Sequence, residues 1–168
     1  MLANIIEYLA DAFGPQLSYI DEDYGQLEAL DSEQTDTYPI TFPAVLVNTE
    51  GVEWSNTAEL GQTGTASIRI RLVLDCYDDT HATAPMAKEK AAERQQFVHR
   101  LHCALQGFRP DDVGPMMRHR SASFTWRHGL KVYDLFYSYT TTEIIPGRET
   151  TVPPRIVVRA GGSLRNAL

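Results

Sequence analysis

The stretch FVHRLHCALQGF carries His99, His102 and Cys103, side chains that could hold a metal or act as a base and a nucleophile. A separation of three residues puts two imidazoles on one face of a helix, as a zinc site would need. No HExxH pattern and no third ligand accompany them, so polar or partly buried helix histidines are the expectation. Cys76 or Cys103 would be a nucleophile if it sat beside one of the five histidines. Cys76, however, falls on the aliphatic side of an alternating strand, where a free thiol behaves as a small apolar residue. Asp75, Asp78 and Asp79 in DCYDDTHA gather carboxylates as a hard cation would require. That run lacks the calcium-loop pattern and its central glycine, which leaves a solvated strand end turning into a loop. The sequence has no GxSxG elbow, no GxxxxGK[ST] phosphate loop and no GxGxxG opening a helix; AGGS near the C-terminus is a lone glycine pair. No catalytic residue, cofactor or metal is expected.

A different chemistry is suggested by RHRSASFTWRHGLK, residues 118–131. Arg118, Arg120, Arg127 and Lys131 interleave with Phe124 and Trp126, a mixture that can track a phosphate backbone and stack bases. Bulk charge argues against direct reading of nucleic acid. The net charge is −7 and the isoelectric point is near 5.2, whereas a basic domain is the usual footprint. The arginines remain suited to line a channel through which DNA passes.

Charge is also divided unevenly along the chain. Residues 1–68 contain twelve acids and no lysine or arginine; residues 69–168 hold all fifteen basic residues and ten acids. The two parts carry −12 and +5, which together give the −7. Either the halves interleave in one fold and neutralise each other, or the subunit is bipolar. In the second case its acidic surface docks on a neighbour's basic surface, and such complementarity fixes register and partner choice more than affinity.

At 168 residues, 43% hydrophobic and 22% charged, the chain suits one soluble globular domain. No apolar run approaches the ~20 residues needed to cross a bilayer. No secretory leader is expected at MLANIIEYLADAFG, and two cysteines suit a reducing cytoplasm.

The elements that would carry these residues can be read in order. Leu2, Ile5, Ile6, Leu9, Ala12 and Phe13 predict an amphipathic helix, stopped by Gly14 and Pro15. Residues 16–41 are acidic and without period, and read as a long loop. FPAVLVN predicts a buried strand, with VEWSN as its continuation or its hairpin partner across Asn48–Gly51; residues 57–65 read as a flexible loop. ASIRIRLVLDCYDD alternates for a whole strand. Ile68, Ile70, Leu72, Leu74 and Cys76 take one face, which calls for a core. Arg69, Arg71, Val73, Asp75 and Tyr77 take the other, too polar for a core yet more apolar than water requires. That mixed face points to contact with another protein chain. A helix follows over about 86–106, with Thr83 as its cap, Pro85 in its first turn, and Leu101 and Leu105 turned toward the aliphatic face. MMRHRSASFTWR and LKVYDLFYSYTTTE form a hairpin turning at His128-Gly129. The expected fold is α+β: a mostly antiparallel sheet of about four or five strands packed against two main helices. It forms a single domain over 1–143, with an extended Pro- and Arg-containing tail over 144–168.

In this order the chain resembles the phage tail-terminator, or tail-completion, family of minor tail and neck proteins. The resemblance covers about residues 1–143 and lies in position and hydrophobic pattern. An N-terminal amphipathic helix precedes FPAVLVNTEGVEW, the long strand SIRIRLVLDCYDD ends in YD, a helix ends in ALQGF, and LKVYDLFYSY closes the sheet. The acidic segment 16–41 and the tail 144–168 have no counterpart in it. The resemblance implies a structural, non-enzymatic protein made in the bacterial host cytoplasm and located in the virion tail or neck. It would form a homo-oligomeric ring, commonly a hexamer, that caps the tail-tube protein, stops its polymerisation and presents the surface for a head-completion or connector protein. DNA would be a partner only by passage through the lumen, and no membrane is implied. Arg69, Arg71, Asp75, Tyr77, Arg118 and Arg120 would then lie on a subunit interface or face the lumen. Two other readings stay open: a small metal- or ligand-dependent enzyme using His99, His102 and the aspartates after the long strand, and a protein-interaction module of a mobile element that never joins a virion.

Overall fold

The computed structural model describes residues 1–30, 39–58, 61–76, 83–84 and 86–144. Helix α1 runs over Leu2–Phe13, the bounds that its apolar stripe predicts. Ile5, Leu9 and Phe13 are buried because they recur on one helical face. Gly14 ends the helix at φ +48°, a conformation glycine adopts without a side-chain clash.

The next segment corrects the expectation of a long loop. It contains strand β1, Tyr19–Glu22, and one helical turn, α2, Gln26–Ala29. β1 pairs in parallel with strand β2, Tyr19 opposite Ala44 through Glu22 opposite Val47. Four residues are too few for a period to show, and a parallel partner lies far along the chain, so local pattern could not announce this strand. The central part of the acidic segment, 31–38, lies outside the described residues, as do Tyr77, Asp78, Asp79, Pro85 and the tail from residue 145.

β2 spans Ala44–Ala58 and β3 spans Gly61–Asp75. AVLVN and VEWSN therefore belong to one continuous strand, with a register shift between Thr49 and Gly51. Within the supposed loop 57–65, Gln62 pairs with Asn56 and Thr63 with Ser55, while residues 59–60 lie outside the described residues. β3 is also paired along its other side, from Gly61 opposite Ile144 to Asp75 opposite Leu130. Backbone ladders on both sides hold residues 61–65 extended, a polar, glycine-containing stretch that composition alone marks as loose.

Helix α3 covers Ala87–Leu105, and strands β4, Met117–Thr125, and β5, Leu130–Ile144, form the expected hairpin. The strand order is β1-β2-β3-β5-β4, with β1–β2 parallel and the other pairs antiparallel. The fold is α+β, as expected.

α1 and α3 lie on one face of this sheet. Ile5, Leu9 and Phe13 join Ile68, Ile70, Leu72, Leu74, Leu101, Leu105, Leu135 and Tyr137 in one buried cluster. Cys76 packs at its margin. Leu101 and Leu72 are both fully buried, so each contributes roughly 1.5–3 kcal/mol. The helices also clamp each other across α3's C-terminal end: Tyr8 stacks on Phe108 at 4.0 Å and its hydroxyl donates to the Ala104 carbonyl at 3.0 Å. No helix among the described residues is long and apolar enough to cross a membrane.

Candidate functional site

The opposite sheet face is the one whose mixed chemistry asks for an explanation. Part of it is a second, smaller core. Val73, Ala44, Leu46, Leu130 and Val132 are buried there under Leu27 of α2, with Phe42, Phe124 and Trp126 at the rim. Beside them lies an ion cluster that pairing register makes unavoidable, because Arg71 sits directly opposite Asp134. Arg71 Nε donates to Asp134 Oδ1 at 3.0 Å, and Nη1 donates to Glu28 Oε1 at 2.9 Å. Nη1 also lies 3.4 Å from Asp23 Oδ2, which accepts from Arg69 Nη2 at 3.1 Å.

Arg71 is only 7% exposed. Burial works against its charge, but the hydrogen bond and field of Asp134, with Asp23 and Glu28 behind it, outweigh that and hold the guanidinium charged above its ordinary range. The expectation that Arg71 faces a neighbour or a lumen is therefore corrected: the strand turns it under α2, and three carboxylates of its own chain surround it. Arg69 shares Asp23 and keeps 23% of its side chain exposed. Asp75 is exposed at the end of β3; Tyr77 lies outside the described residues. Sequence reasoning missed Asp23, Glu28 and Asp134 as partners. One signal was present, a lone acid among Leu130, Val132 and Phe136 on one face of β5.

Arg118 and Arg120 are exposed on β4, an outer strand of the sheet. A register shift between them turns two residues of β4 against one of β5, so Arg118 and Arg120 point to opposite faces. Arg120 lies over the Phe136 ring at 4.8 Å, a cation–π contact that keeps the guanidinium at the surface. Arg118 turns toward α3, where its charge helps depress the His102 basicity. Burial is the larger cause of that shift, and His99 adds to it. His102 Nδ1 lies 3.1 Å from the Tyr137 hydroxyl, whose own ionisation burial pushes up strongly. His99 is exposed and approaches Cys103 Sγ at 3.5 Å. Among the described residues no three His, Cys, Asp or Glu side chains come together as a metal site. The sheet thus brings Arg69 and Arg71 together and leaves Arg118 and Arg120 on a separate rim.

A second exposed feature lies at the other end of the strands. β5 continues from Tyr139 to Ile144 past the last β4 pair, Met117 opposite Ser138, and β3 and β2 continue with it. On this three-stranded arm Val52 is 39% and Trp54 42% exposed. Trp54 lies across Gly64, where even a Cβ would come within 2.8 Å of its ring.

No known family matches the chain, and no curated protein matches it. Among solved structures it is similar to a chain described as "Virion of native gene transfer agent (GTA) particle". The identity is 13%, the TM-score 0.40, and the match covers 80% of this chain and 84% of that one.

Proposed function

We propose that this protein is a structural component of a phage or prophage virion that assembles as a homo-oligomeric ring on the end of a tail tube, where it stops tube growth and offers the surface for head joining. The observation that carries the reading is the separation of exposed charge onto two unlike places. The arm, residues 48–56, 62–67 and 139–144, holds Glu50, Glu53 and Glu143 and no lysine or arginine. Residues 117–131, on and beside the outer strand β4, hold Arg118, Arg120, Arg127 and Lys131 and no acid. Unlike patches that attract each other favour a head-to-tail contact, which closes into a ring when the rotation permits. The order of elements supports the assignment to a tail end through its resemblance to tail terminators. No chemistry is required of His99, His102 or Cys76 in this reading; they serve packing and surface.

Solution mass and electron microscopy test it. Six copies of an 18.9 kDa chain weigh about 113 kDa, and the expected particle is a ring with an open lumen, seen free at high concentration or on tail-tube ends. A chain that stays monomeric at every concentration and leaves tube ends bare would refute the function.

A further inference from the structure

The arm leaves β4 behind and projects with polar strands, two half-exposed apolar side chains and an acidic hollow. The register shift at Thr49–Gly51 opens that hollow, about 310 Å³ in volume and lined by Glu50, Gly51, Val52, Glu53 and Ser67. Glu50 and Glu53 form no ion pair among the described residues. Its two carboxylates attract a guanidinium, and Val52 at its wall and Trp54, next along the same face of β2, supply apolar area that water does not reward.

Across the molecule, β4 presents the complementary chemistry. It is an outer strand whose residues Met117–Ser121 are all exposed, and neither Arg118 nor Arg120 has an ion-pair partner among the described residues. Met117, 50% exposed, adds an apolar group to the same stretch. Arginines on an outer strand also discourage unwanted strand pairing, but that role alone needs no acidic counterpart elsewhere on the chain.

We propose that the acidic arm, through Glu50, Val52, Glu53 and Trp54, docks on the outer strand β4 of a second copy of this chain at Arg118 and Arg120. The inference rests on the ring reading and names its interface. It makes the contact heterologous, since each subunit gives an arm on one side and an edge on the other.

Two charge reversals test it. Glu50→Lys with Glu53→Lys sets a basic arm against a basic edge, and Arg118→Glu with Arg120→Glu sets an acidic arm against an acidic edge. Each variant alone should associate at least about 10-fold more weakly than wild type at low salt, because like charges brought together at a contact are unfavourable. Mixed in equal amounts the two variants should assemble again, since alternating subunits make every arm–edge contact complementary. Sedimentation velocity reads both results, and far-UV circular dichroism checks that each variant is folded. If wild type assembles and the separate variants assemble as well as it does, or the mixture gains nothing, the interface lies elsewhere while the ring stands. If wild type stays monomeric at every concentration and on tube ends, ring and interface fall together.

Discussion

Replacing Arg71 by methionine isolates what the buried ion cluster contributes. The side chain is 8% exposed and Asp134 is 9% exposed, so removing the cation strands a carboxylate that water cannot reach. The loss is not shared equally among the three acids. Glu28 is 48% exposed and can hydrate, and Asp23 keeps Arg69 at 3.1 Å and the Gly25 amide at 3.1 Å. The penalty therefore falls on Asp134, and the expected cost is about 3 kcal/mol, at the low end of the range for breaking a buried pair. Against a total stability of about 5–15 kcal/mol this is readily measured. Removing both partners, Arg71→Met with Asp134→Leu, should return to within about 1 kcal/mol of wild type, because no buried charge is then left alone. Urea titration followed by circular dichroism gives both values, and the fluorescence of Trp126, at the rim of the second core, reports on that face. A cost below about 1 kcal/mol for Arg71→Met, the size expected of an exposed pair, would refute the reasoning. So would a double variant as unstable as the single one.

Leu101→Ala, at a fully buried position against the aliphatic face of β3, should cost about 2–5 kcal/mol in the same titration; a change below 1 kcal/mol would mean that α3 is not seated there. Gly64→Ala puts a Cβ within 2.5 Å of Val52 Cγ1 and 2.8 Å of the Trp54 ring, so the ring should lift from the strand at a cost of about 1–3 kcal/mol. Its emission should move to the red, and an unchanged spectrum would contradict the packing described for the arm.

What was legible in the sequence follows the reach of each signal. α1 and the aliphatic face of β3 were legible because the alternation or helical stripe runs long enough to outweigh local noise. The hairpin of β4 and β5 was legible for the same reason, with His128-Gly129 marking its turn. β1 was not, since four residues have no period and its parallel partner begins at Ala44, more than twenty residues on. The arm was not legible because TAELGQTGT has the composition of a loop; what holds residues 61–65 extended is pairing on both sides of β3, a nonlocal fact. Alternation places Arg69 and Arg71 on the face of β3 opposite the aliphatic core, where the structure has them. Their partners were not legible, because Asp23 and Glu28 lie in the segment without pattern and Asp134 comes from a strand 63 residues away from Arg71.

The uneven division of charge along the chain now separates into two physical problems. At the sheet centre, Asp23 and Glu28 from the acidic part cover Arg69 and Arg71 from the basic part, and the two parts neutralise each other within one fold. That compensation uses two arginines and leaves the rest of the asymmetry in place. Glu50, Glu53 and Glu143 remain exposed on the arm, and Arg118 and Arg120 remain exposed on an outer strand. A subunit acting alone has no need to keep these sets apart, since mixing signs on the surface would serve solubility as well. Separation has a use when the two sets meet across a boundary between copies. At the proposed contact the acidic and basic patches would select one orientation of approach and disfavour arm-to-arm or edge-to-edge contact. The interior cluster and the exterior patches thus answer different demands: one fixes α2 on the sheet, and the other, in the proposed assembly, would give a subunit a front and a back.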